Sequence, residues 1–161
     1  MHHGHEHGAI SPEMVRRHYW LFGANLILSA IIMYLVMFTM IWSLEDFFNN
    51  LNTLYMALMM VSPMAILMLL MMGMMYPDRK LNLVLHAGFV LMFLLAFIGM
   101  RDQLLVGDKQ FLRSMIPHHS GAILMCREAR IRDSEIVALC RNIIRSQQAE
   151  IDQMKAILER R

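Results

Sequence analysis

Met115-Ile-Pro-His118-His119-Ser-Gly-Ala-Ile-Leu-Met125-Cys126 brings two imidazoles, two thioethers and a thiol into about three helical turns. Met115 stands three residues before His118 and four before His119, so each pair shares a face of a helix. Thioether and thiolate are soft ligands that select Cu(I), and imidazole suits copper, zinc and nickel. The chemistry on offer is soft-metal binding, with copper, as Cu(I) or Cu(II), the first candidate. The plainer reading is a hydrogen-bonded surface pair of histidines. Adjacent helical residues diverge by about 100°, so one imidazole should face a core and the other a partner or a second ion.

The elements that must hold this segment begin with a membrane. The 161 residues are 57% hydrophobic and 17% charged, against about a quarter charged for soluble domains. Three uncharged runs stand out, from His18 or Tyr19 to Leu44, between Asp46 and Asp78, and from Leu81 to Met100. Each reaches the ~20 residues that cross a ~30 Å hydrocarbon core as a helix. The expected spans are about 20–43, 54–76 and 81–100. The first is too long for a signal peptide's apolar core, and no small-x-small cleavage site follows Ser43. A net charge of +2 with no basic-aromatic motif gives no support for nucleic acid as a partner.

This divides the chain into a His-rich tail (1–19), a three-span region (20–100) and a polar helical domain (101–161). The first loop, Glu45-Asp46-Phe-Phe-Asn-Asn, carries no Lys or Arg. The second holds Arg79 and Lys80, and Arg16 and Arg17 precede the first span. The positive-inside rule then puts the N-terminus in the cytoplasm and, after three spans, the C-terminal domain outside. In a bacterium that is the inner membrane with a periplasmic domain, although Arg101, Lys109 and Arg113 pull mildly the other way.

Residues 101–161 read as an all-α hairpin. Asp108 is a candidate N-cap, and Phe111, Met115, His118, Ala122, Met125 and Ala129 step by four and three. Pro117 is expected to kink this helix. Asp133 or Ser134 caps the next helix, whose seam is Val137, Cys140, Ile144, Gln147, Ile151, Met154 and Leu158. Both seams have coiled-coil spacing. Two such helices cannot bury a core alone, so a second copy is expected to complete a four-helix bundle. Packing on the chain's own spans is the less favoured solution. Folding about Asp133 brings Gln147 level with the histidines, Glu150 within about a turn of Met115, and Cys126 level with Cys140. Gln147 either sets register or orients an imidazole. The cysteines suit a disulfide, buried thiols or thiolate ligands, in that order.

The pattern Asp108-x-x-Phe111-x-x-x-Met115-x-x-His118-His119-x-x-Ala122-x-x-Met125, with Glu135-Ile and Ile144-x-x-Gln147-x-x-Glu150-Ile151-x-x-Met154, resembles the domain-of-unknown-function family 305 over about residues 108–158. The resemblance implies a ferritin-like helical fold and, from characterised members, periplasmic copper binding and copper resistance. It carries over Met115, His118, His119, Met125 and Met154 as copper ligands. Gln147 and Glu150 match motif positions of a supporting kind. Many members carry two hairpins in one secreted chain, whereas this one resembles a single hairpin behind three spans. Whether ligands come from one chain or two is thereby left open.

The chain also holds 19 methionines. Met56, Met60, Met64, Met68, Met71 and Met75 lie within about a third of one helix circumference, and Met33, Met37 and Met40 share a face of the first span. Met92, Met100 and His86 are available in the third. Most of these suit plain apolar packing. A soft-metal path that uses Met64, Met68 and the ionisable His86 is the bolder alternative. His2, His3, His5 and His7 form either a second chelating tract or a tail. The leading expectation is a membrane-anchored copper-binding protein that sequesters copper or hands it on. It would contact lipid, self-associate and exchange with another copper-handling protein. A copper transporter or transporter subunit is second. A ferritin-type enzyme is last, because no Glu stands three before either His118 or His119.

Overall fold

The computed structural model describes residues 11–160, so the tract with His2, His3, His5 and His7 lies outside the described residues. Five helices and no strands are found among them: α1 (Pro12–Val36), α2 (Leu51–Met71), α3 (Arg79–Arg101), α4 (Asp108–Glu128) and α5 (Ser134–Glu159). The class is all-α, and α1 to α3 are long and apolar enough to cross a membrane.

Local chemistry explains the boundaries. Ser11 caps α1 ahead of Pro12, its Oγ accepting from the Met14 N–H at 3.3 Å. The helix therefore starts eight residues before the expected span, because Glu13, Arg16 and Arg17 mark the membrane edge rather than the end of the helix. A 3₁₀ turn, Met37–Met40, extends α1 at its far end. Asn50 caps α2, accepting from the Thr53 N–H at 2.9 Å, and Asp78 caps α3 through Lys80 and Leu81. Asp133 caps α5 as expected, its Oδ1 accepting from Glu135 and Ile136. The cap of α4 is Gly107, with Asp108 already helical. Pro117 lies inside α4 and Pro63 inside α2, and both helices run on through them.

Consecutive spans pack on each other, α1 on α2 and α2 on α3. Their core is Phe22 and Leu26 from α1, Val61, Ala65 and Leu69 from α2, and Tyr76. Around it the helices present large apolar side chains outward, including Ile27 at 66% and Leu95 at 59% exposure, a surface suited to lipid. The methionines of α2 are divided. Met64 and Met68 pack against the core, while Met60 and Met71 are exposed.

The hairpin is built on Leu112, Ile116 and Ile123 of α4 against Ile151 and Met154 of α5. The α5 seam runs as expected, but that of α4 is displaced by one residue. The reason is that α4 serves two neighbours. Its 112/116/123 face meets α5, and the face that carries Met115, His118, Ala122 and Met125 turns to the spans.

The hairpin also docks on the chain itself. Ser120 Oγ accepts from the Trp42 N–H at 2.7 Å and donates to Asp46 Oδ2 at 2.5 Å. Lys155 Nζ reaches Asp46 Oδ1 at 2.7 Å. Leu51 N–H donates to Gln110 Oε1, and Phe48 packs on the hairpin core. The less favoured packing, on the chain's own spans, is thus the one the fold displays. Hairpin and first loop lie at one end of the three-helix bundle.

Candidate metal site

α4 approaches the 3₁₀ turn closely at Gly121, where a Cβ would stand 3.3 Å from the Met40 carbonyl oxygen. Beside that contact lies a cavity of about 390 Å³. From α4 it is lined by Met115, His118, Ala122 and Met125. Across from them are Met37, Phe38 and Met40 of the 3₁₀ turn, Met56 of α2 and Met100 of α3.

The two histidines diverge, as their adjacency requires. Their ring centres are 6.1 Å apart with planes at 65°. His118 is exposed, lines the cavity and has no hydrogen bond among the described residues. His119 is buried and tied at both nitrogens. Its Nδ1 donates to the Met115 carbonyl at 2.8 Å, and its Nε2 stands 2.7 Å from Glu150 Oε2. A carbonyl only accepts, so Nδ1 carries a hydrogen. The second contact also needs a proton between nitrogen and oxygen, giving either an imidazolium facing a carboxylate or an imidazole facing a carboxylic acid. An Nδ1–H held by a backbone carbonyl is also the arrangement that presents Nε2 to a metal. An ion there would displace the shared proton and gain Glu150 as a neighbour.

The five hairpin ligand candidates do not meet at one point. Met115, His118 and Met125 share the cavity, whereas His119 pairs with Glu150 and Met154 is buried in the hairpin core. The group that reaches His119 is Glu150 rather than Gln147, about one turn away. Cys126 and Cys140 are disulfide-bonded, with Cα atoms 5.3 Å apart, so neither is a free thiol or a thiolate ligand. In the spans, Met68 Sδ accepts from Asn25 Nδ2 at 3.7 Å. His86 Nδ1 donates to the Asn82 carbonyl at 2.6 Å, while its Nε2 is buried without a partner among the described residues. His86 belongs to the loop-2 end of the bundle, away from the cavity, where Tyr19 donates to Asn82.

The donor chemistry discriminates among ions. Among the described residues, no three His, Cys, Asp or Glu side chains converge, so a zinc-type cage of such groups is not built. What the cavity does collect is thioethers and one imidazole, a set that suits Cu(I).

Sequence reasoning missed the group that positions this site. Asp46, Ser120 and Lys155 come from three separate segments, and each is unremarkable alone. The available signal was a pair of acids, Glu45 and Asp46, in a first loop with no basic residue.

An uncharacterized protein of Acanthamoeba polyphaga mimivirus is 36% identical over 121 residues, covering 74% of this chain and 78% of that protein. No solved structure matches. Residues 69–158 match the family described as Domain of unknown function (DUF305). The match begins in the last turn of α2 and takes in α3 as well as the hairpin, a longer stretch than the motif positions alone suggested. More than half of the chain, including every hairpin residue weighed above, falls within it, and the chain belongs to the DUF305 family.

Proposed function

We propose that this is a membrane-anchored copper-binding protein, which sequesters copper or hands it on through Met and His of the hairpin. The observation that carries the reading is that Met115, His118 and Met125 share one cavity face on α4. His119, with its Nδ1–H already held, supplies a second nitrogen nearby. No chemical turnover is required. The three apolar helices act as the anchor in lipid. Their interior is closed by Val61, Ala65 and Leu69, each at most 4% exposed, which supports anchoring over conduction. Lys and Arg around α1 and loop 2 support a cytoplasmic N-terminus. The Cys126–Cys140 disulfide supports an oxidising compartment for the hairpin, in a bacterium the periplasm. Self-association and exchange with another copper-handling protein belong to the same reading.

The test uses the full chain in detergent, loaded with Cu(I) under reducing conditions and desalted before metal analysis. Bound copper is expected to fall at least tenfold in the Met115→Leu/His118→Ala/His119→Ala variant. Copper retained at the unsubstituted level would sink the proposal.

A further inference from the structure

We infer that the metal site is composite within one chain: a chamber for a soft monovalent cation, Cu(I) or Ag(I), to which the spans contribute Met37, Met40, Met56 and Met100 opposite Met115, Met125 and His118 of α4. This rests on the copper reading above and adds that the membrane helices are ligand donors, not only an anchor.

The four span methionines are far apart in sequence but meet at one end of the bundle. Met37 and Met40 lie in the 3₁₀ turn after α1, Met56 in the second turn of α2, and Met100 in the last turn of α3. That is the end on which the hairpin docks through Asp46, Ser120 and Lys155. Other methionines of the same helices, such as Met64 and Met68, pack against the bundle core as ordinary apolar side chains. Those around the chamber instead border open space of about 390 Å³.

Asn52 also lines the chamber, its amide nitrogen donating to Gln103 Oε1 at 3.0 Å.

The ligand class follows from the donors. Thioethers are neutral and soft, so they stabilise Cu(I) and Ag(I) over harder divalent ions. They also carry no proton to lose on binding. Apart from His118, the chamber therefore binds without the proton release that thiolate sites require. Six thioethers exceed the donors one ion uses at a time, which suits exchange between neighbouring positions.

Two measurements on the full chain in detergent test this. In the first, Cu(I) is titrated against a chromogenic Cu(I) chelator. Met56→Leu/Met100→Leu is expected to weaken Cu(I) binding at least tenfold, as Met115→Leu/Met125→Leu does. In the second, unsubstituted protein with and without Ag(I) is exposed to hydrogen peroxide, and sulfoxides are mapped by peptide mass spectrometry. Ag(I) is expected to protect Met56 and Met100 together with Met115, while Met74, at 90% exposure, oxidises regardless. Loss of binding in the hairpin variant alone, with Met56 and Met100 unprotected, overturns the composite site and leaves the hairpin reading standing. Full binding in both variants, without protection anywhere, overturns both. The protection experiment needs no substitution, so a misfolded variant cannot decide the outcome.

Discussion

Asp46 is 4% exposed and sits between the Ser120 hydroxyl and the Lys155 ammonium. A carboxylate so placed is stable only while both partners remain, and removing one side of such a buried pair leaves the other unmatched. Lys155 keeps 26% of its side chain in solvent, which tempers the cost. Asp46→Ala is expected to destabilise the docked hairpin by roughly 2–3 kcal/mol, with Asp46→Asn milder because it can still accept from Ser120. Thermal melting in detergent should show a fall of several degrees for the first and less for the second. The histidines show the same dependence on surroundings. Spacing alone dictated that His118 and His119 diverge. That His119 would find Glu150 depended on hairpin register, which a one-turn shift in the connecting segment changes without altering either helix.

α4 is the element in which two demands meet. Its Leu112, Ile116 and Ile123 bury against α5, while the neighbouring face serves the cavity. Substituting the wholly buried Ile116 by Ala should cost about 3 kcal/mol through lost burial and the cavity left behind, visible as a lowered melting temperature. The disulfide ties the other end of the hairpin across a separation of 14 residues. In a chain-entropy estimate, closing a loop of that size is worth about 3 kcal/mol. Reductant, or Cys126→Ser/Cys140→Ser, should therefore speed amide exchange near residues 126–140 while leaving that of α2 and α3 unchanged. The connection from α3 to α4 contains the opposite kind of feature. Leu105 has φ 61° and is 84% exposed, a left-handed conformation that a non-glycine residue adopts at a cost. Leu105→Gly should relieve about 1 kcal/mol there, raising the melting temperature slightly.

For the whole molecule, docking of the hairpin on the first loop requires both to lie on one side of the bilayer, as three crossings also demand. Leu44 and Leu105 are exposed near that end, and Met74 is exposed in the second loop. Single cysteines at these positions, in a Cys126→Ser/Cys140→Ser background, should separate with a membrane-impermeant maleimide. Leu44→Cys and Leu105→Cys are expected to label from the same side and Met74→Cys from the other. Labelling of Leu44→Cys and Leu105→Cys from opposite faces would refute the fold's topology.

Three long apolar helices and the all-α hairpin were determined by sequence alone. Uncharged runs of that length have few alternatives, and Asn50, Asp78 and Asp133 carry their capping chemistry within three residues. The soft character of the donors was equally plain, since residue type alone decides it. Tertiary structure decided which donors meet. Met37, Met56, Met100 and Met115 lie on four different segments, and periodicity within one helix carries no information about the rotation of another. The displaced seam of α4 has the same origin. Heptad spacing marks a buried face, but not which of two neighbours buries it, and only the docking of Asp46, Ser120 and Lys155 turned the Met115–His118 face toward the spans.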